Sequence, residues 1–173
     1  GSRHQILITA ADLNAAGLTA GYISALSFEV NNPNATQALD NFEIKLGTTT
    51  LGAITTFQTT PMTTVFTTPS HLPVNGVNTH TFQTLFYWDG VSNLLVETCH
   101  QNSSYTDNAT MRQTPTAYNS TVWYNADATG VCGNNTTNGF AAQRPNKRFW
   151  RSYGDREYAR SPANTLSNST IQD

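Results

Sequence analysis

Residues 41–46 read NFEIKL, with Phe42, Ile44 and Leu46 alternating against Asn41, Glu43 and Lys45. Successive side chains on an extended strand point to opposite faces, so this order makes one apolar face and one wet face. An antiparallel strand packed on one side reads this way. Upstream, YISALSFEV (22–30) places Tyr22, Leu26, Phe28 and Val30 on one face, with Ser27 and Glu29 on the other. The intervening NNPNATQ (31–37) is a loop of turn-formers.

The pattern continues in both directions. TTVFTT (63–68) is a short strand around Val65 and Phe66. THTFQTLFYW (79–88) sets Phe82, Phe86 and Trp88 against Thr81, Gln83 and Tyr87, then stops at Asp89-Gly90. SNLLVETCH (92–100) follows at once, so FYWDGVSNLLVE (86–97) is expected to form a hairpin. RHQILIT (3–9), STVWYNA (120–126) and NKRFW (146–150) supply further strands, and TGVCGNNTTNG (129–139) is a long loop. One helix is expected over residues 10–16, with Thr9 as N-cap, Asp12 three residues on and Gly17 at the C-terminal cap.

Roughly eight short strands, one small helix and no βαβ rhythm predict an all-β fold. The expected form is a two-sheet antiparallel β-sandwich, jelly-roll-like, with one short N-terminal helix. Its module spans 1–151, and 152–173 reads as a polar tail or linker. Trp88 and Trp150 are expected in the core.

Composition agrees. Charged residues are 12% of the chain, about half the usual share. Thr and Asn together make up roughly a quarter. Thr suits the pleated surface through its β-branch, and Asn suits turns. The net charge of -2 predicts no nucleic-acid partner, and no apolar run is long enough for membrane insertion. Basic residues gather late, at Arg144, Lys147, Arg148, Arg151, Arg156 and Arg160, and read as a solvated end, with a phosphate-binding or sulfated-glycan patch as the alternative.

Cys99 beside His100 raises a nucleophilic dyad, but neighbours on a strand point to opposite faces. The expectation is a disulfide from Cys99 to Cys132, with His100 at the rim of the core. The remaining histidines show no HxH or HExxH spacing, and no GxSxG occurs. Glu29, Glu43 and Glu97 lie on strands as a conceivable carboxylate pair, with Glu29 and Glu43 on outward registers. The Asx-rich sites Asp40-Asn41, Asp107-Asn108 and Asp127 offer hard oxygens for a structural calcium ion; no other cofactor is expected. Among aromatics, Tyr105 and Tyr118 in polar loops are expected to be exposed. With Trp123, and with Asp107 and Asn108, they form the candidate ligand-binding set.

Five stretches taken in order carry a resemblance: RHQILITAADLNAAGLTAGYISALSFEV, LDNFEIKLGTT, FYWDGVSNLLVETCHQNSSYTDNAT, YNSTVWYNADATGVC and RPNKRF. Over residues 1–149 the chain resembles a module of large secreted surface proteins of the Bacteroidota. Those proteins commonly carry fibronectin-type or PKD-like repeats and a C-terminal sorting domain for type IX secretion. An apolar or aromatic residue usually stands there at the position of His100, which implies an inward side chain. The resemblance implies an extracellular or cell-surface β-sandwich without catalytic activity, within a longer adhesin, filament or hydrolase. The expected function is adhesion, with a glycan or a surface protein as partner. The alternatives are a filament or stalk subunit that self-assembles through strand edges, and a secreted hydrolase or its accessory domain.

Overall fold

The computed structural model describes residues 1–152 and the short strand at 168–169. Its strands are β1 (Ser2–Ile8), β2 (Gly21–Asn32), β3 (Leu39–Thr49), β4 (Thr63–His71), β5 (Gly76–Trp88), β6 (Asn93–His100), β7 (Thr110–Met111), β8 (Gln113–Pro115), β9 (Thr121–Asn125), β10 (Gly139–Ala141), β11 (Gln143–Pro145), β12 (Lys147–Ser152) and β13 (Asn168–Ser169). One helix, α1 (Ala10–Ala15), lies between β1 and β2. All pairings are antiparallel. A six-stranded sheet runs β10-β9-β1-β6-β3-β4 and a second runs β13-β12-β2-β5 with β7 beside β2; β8 and β11 form a separate pair. Of the 152–173 segment, the rest beyond Ser152 and β13 lies outside the described residues.

The core lies between the two large sheets. Ile6, Ile8, Phe42, Ile44, Leu46, Val65, Leu94 and Val96 come from one sheet, and Ile23, Leu26, Phe28, Phe82, Trp88 and Phe149 from the other. The Phe42, Ile44, Leu46 alternation thus faces inward as read. The helix ends are as the sequence predicts. Thr9 Oγ1 accepts the Asp12 N–H. Leu18 N–H donates to Leu13 O and Gly17 N–H to Asn14 O, with Gly17 at φ +88. This is a Schellman closure, and its apolar pair Leu13 and Leu18 is fully buried.

A third layer sits on the outer face of the six-stranded sheet. The β3–β4 connection lays Ile54 and Phe57 over Leu7, Leu95 and Val122. It is pinned by Gln5, whose Nε2 donates to Gln58 O (2.9 Å) and whose Oε1 accepts Gln58 N–H (2.7 Å). β1 and β6 are therefore buried on both faces, which accounts for the unbroken runs ILI (6–8) and LLV (94–96).

Four expectations need correction. FYWDGVSNLLVE is not a hairpin, because β5 and β6 belong to different sheets. Asp89 Oδ1 accepts the Val91 and Ser92 N–H groups and Trp88 Nε1 donates to Ser92 O, so the chain turns a corner between layers. Tyr22 points outward at 47% exposure and Ile23 takes the core position. The pairing shifts register between Ile23 and Ala25, and that bulge reverses the face. Trp150 lies on the half-buried face of β12 while Phe149 enters the core. Finally, Arg144 and Lys147 are not at a solvated end but buried, and Arg144 Nη1 pairs with the Asp12 carboxylate at 2.8 Å.

Candidate functional site

Cys99 and Cys132 are joined, with Cα atoms 5.6 Å apart, as the sequence predicts. Cys99 is thereby removed as a nucleophile. His100 is turned toward the opposite face, where its Nδ1 lies 2.7 Å from Asn102 Oδ1. Since that oxygen can only accept, His100 carries its proton on Nδ1.

Asn102 organises this end of the sandwich. It is 3% exposed. Its Oδ1 also accepts the Asp40 N–H (3.0 Å) and its Nδ2 donates to Ala38 O (2.8 Å). Gln101 N–H donates to Asp40 O (2.8 Å), and Gln101 Oε1 accepts the Gly130 N–H (2.6 Å). These bonds draw the start of β3, the end of β6 and the disulfide-bonded loop around a shallow groove of about 610 Å³. Asp40, Asn41, Pro69, Gln101, Ser103, Thr129 and Gly130 line it. The lining is mostly amide, hydroxyl and backbone, with one carboxylate.

The loop after Ser103 is held against the β2–β3 connection. Gln37 Nε2 donates to Ser104 O, Thr106 Oγ1 to Ala35 O and Asn34 Nδ2 to Asn108 O. Tyr105 projects from it at 61% exposure, with Asp107 and Asn108 also exposed.

The other two aromatics lie elsewhere. Tyr118 is not exposed but half-buried, packed against the cluster of Leu7, Ile54, Phe57, Leu95 and Val122. Its hydroxyl donates to Asp12 Oδ2 (2.7 Å) and accepts from Arg144 Nη1 (2.7 Å). Burial and the Asp12 carboxylate raise its pKa, while Arg144 and Tyr118 hold Asp12 below the ordinary carboxylate range against its own desolvation. This triad ties α1 to β11. Trp123 sits in β9 with its ring over the Gly139 backbone, where a Cβ would come within 2.7 Å. Leu7, near Tyr118, and Ser2, near the groove, are at opposite ends of β1, roughly 17 Å apart at about 3.4 Å per residue. Tyr105, Tyr118 and Trp123 therefore do not make one stacking surface.

None of the carboxylates of Asp40, Asp107 and Asp127 belongs to a group of three or more such donors among the described residues. Among the described residues the one group of three or more His, Cys, Asp or Glu donors is Glu43, Cys99 and Cys132. Both of its sulfurs are in the disulfide. No helix among them is long and apolar enough to cross a membrane.

Two features escaped the sequence reading. Glu97 lies under the third layer at 2% exposure, bonded to Arg3 and Gln5. Its place in the both-faces-buried strand was the available signal. The histidines also pair up in space. His71 and His80 are 4.8 Å apart ring to ring, and His80 packs on Phe28, Phe42 and Phe66. Burial, then proximity to His71, lowers His80 to a pKa of about 4; burial and His100 do the same for His4.

These shifts make the fold acid-sensitive. A folded-state pKa below the unfolded 6.5 means the unfolded chain binds more protons between the two values. Stability is then full above pH 6.5 and falls as pH drops toward 4. Between pH 7.5 and 5 the expected loss from His80 is about 2 kcal/mol. Urea melts at the two pH values check this, and a His80→Phe variant with an unchanged pH difference would exclude His80 as a cause.

Comparison with models of known families, with curated proteins and with solved structures finds no match to this chain.

Proposed function

We propose that the chain is an extracellular recognition module of a larger surface polypeptide, binding a glycan in the groove between Asp40, Gln101 and Gly130. The observation that carries this reading is the convergence at one end of the sandwich of a polar groove and an anchored loop bearing Tyr105, Asp107 and Asn108. Sugars present hydroxyls to amide and hydroxyl partners and an apolar ring face to a flat aromatic ring. The groove supplies the first, and Tyr105, two residues beyond Ser103, supplies the second. Three side-chain-to-backbone bonds already order the loop, which lowers the entropy lost when a ligand binds.

Binding without catalysis is favoured because glycoside hydrolysis ordinarily uses two carboxyl groups flanking the bond, and this groove presents Asp40 alone. The disulfide suits an oxidising compartment, and the resemblance to secreted surface modules points the same way. A glycan array on the labelled domain tests the proposal. Binding to at least one glycan class is expected, weakened at least about tenfold in Tyr105→Ala and in Asp40→Ala. An empty array, or affinity unchanged in both variants, refutes it.

A further inference from the structure

All four histidines of the chain come together at one end of the sandwich, as two pairs. His4 on β1 shares the inward register of Ile6 and Ile8, and His100 on β6 shares that of Leu94 and Val96. The pairing sets His4 opposite Thr98 and Ser2 opposite His100, so the two imidazoles are diagonal neighbours on one face. His71 and His80 form the second pair, 4.8 Å apart ring to ring. Phe42 lies between the pairs. The register of Glu43 with Cys99 places it beside His100, and its ring is 5.2 Å from both His71 and His80.

The first pair stands directly behind the groove. His100 Nδ1 bonds Asn102 Oδ1, the same oxygen holds the Asp40 N–H, and Asn102 Nδ2 holds Ala38 O. His4 faces His100, and His100 also faces the Gly1 ammonium, while Asp40 acts on it in the opposite sense from the groove. His80 faces His71 and the rings of Phe28, Phe42 and Phe66. In the opposite sheet, Lys147 is buried on β12 across from Phe28. A proton added to either member of the first pair puts a charge next to another imidazole and away from water. That state is costly until water reaches it. His4 lies near the start of β1 and His100 is the last residue of β6, and strand ends open at the least cost.

We propose that the His4–His100 pair is a proton-operated latch on the groove. Neutral, it holds Asn102 and keeps the groove formed; protonated, it lets the ends of β1 and β6 part and the groove open. This rests on the reading of the groove as the binding site and adds its regulation, with ligand held at neutral pH and released in a mildly acidic medium. Burial keeps both imidazoles below the ordinary 6.5 in the closed groove, His4 at about 4. The open form binds more protons between those values, so closure is complete above pH 6.5 and weakens as pH falls. Between pH 7.5 and 5, His4 alone favours opening by more than about tenfold. His80 is 3% exposed within its aromatic cluster and is freed only when the sandwich unfolds. The latch therefore responds first, and locally.

The test reads amide exchange at pH 7.5 and pH 5, each rate corrected for the intrinsic rate at that pH. Asp40 and Gln101, whose N–H groups bond Asn102 Oδ1 and Asp40 O, report on the groove. Leu18, bonded to Leu13 O beside α1, reports on the fold as a whole. In acid, protection at Asp40 and Gln101 is expected to fall at least about tenfold more than at Leu18. The double variant His4→Phe, His100→Gln keeps a donor for Asn102 Oδ1 and has no imidazole to charge, so the difference should vanish. If that variant fails to fold, an NMR titration of wild type decides. The His4 and His100 ring signals are expected to shift over the same pH range as the Asp40 and Gln101 amide signals. Protection at Asp40 and Gln101 that follows Leu18, a difference that survives in the variant, or ring and amide signals that titrate apart, overturns the proposal. No ligand enters these readouts, so failure of the latch is separate from failure of the glycan-binding reading.

Discussion

Replacing Glu97 with alanine is expected to cost about 3–5 kcal/mol, the range for breaking a buried ion pair on one side. Glu97 Oε2 accepts from Arg3 Nη2 and from Gln5 Nε2, each at 2.8 Å. Its Oε1 lies 3.5 Å from Lys45 Nζ, which also pairs with Glu43 at 2.8 Å. Arg3 is 7% exposed, with its guanidinium 4.2 Å over the Phe57 ring and Nη1 on Asn134 O and Asn135 Oδ1. Without Glu97 the Arg3 charge stays buried beneath the 50–62 segment with only neutral acceptors. Gln5 also loses a partner while it holds Gln58. Urea denaturation at pH 7 measures the loss, and a value below about 1 kcal/mol would show that water reaches the network and screens it. The double variant Arg3→Met with Glu97→Leu discriminates further. Removing both charges with apolar groups is expected to recover much of the loss, since desolvation disappears along with the attraction.

Loss of the Cys99–Cys132 bridge is expected to cost about 3–4 kcal/mol, from closure of a loop with sequence separation 33. The effect should be local as well as global. Cys99 is fixed in β6 at 1% exposure, whereas Cys132 lies in a single 3-10 turn (Val131–Gly133) of a loop with little regular structure. Thr129 and Gly130, which form one wall of the groove, belong to that loop. The Gly130 N–H to Gln101 Oε1 bond is short but exposed, so it is a weak anchor on its own. The Cys99→Ala, Cys132→Ser variant should therefore melt earlier and be cleaved faster by protease within 126–138. An unchanged midpoint on reduction would mean that the Arg3 contacts to Asn134 and Asn135 hold the loop without the bridge.

The strands were legible where one face is dry and the other wet. Phe42, Ile44 and Leu46 point inward as their alternation requires, and Val65 and Trp88 follow. The Thr9 and Gly17 caps were equally readable, because capping depends on residues within one turn of each other. Reading failed where a local rule met a non-local event. Asp89-Gly90 does make a tight bend, but whether a bend closes a hairpin or passes between sheets depends on which strands flank β6, namely β1 and β3. Period-two counting through β2 broke at the bulge beside Ser24. The strands β7, β8, β10 and β11 are two or three residues long and exist only as pairings, so no periodicity marks them.

The candidate site divides in the same way. Tyr105, Asp107 and Asn108 lie on one short loop, and their exposure was readable from its polar composition. Tyr118 has an equally polar setting, yet Asp12 and Arg144 arrive from distant parts of the chain and fix its hydroxyl.

What the sequence determined by itself is the secondary-structure class, the inward face of the regular strands, the helix ends and the pairing of two cysteines. Each rests on side-chain periodicity, on short-range capping or on there being only one bridge to make. What only the tertiary structure decided is the division of strands between sheets, the third layer over β1 and β6, the burial of Glu97, Arg144 and Lys147, and the use of Gln5 as a substitute for a neighbouring strand at Gln58. A carboxamide reads as polar and turn-forming wherever it occurs, and its two hydrogen-bonding ends acquire a task only when the fold leaves an unpaired N–H and C=O beside it.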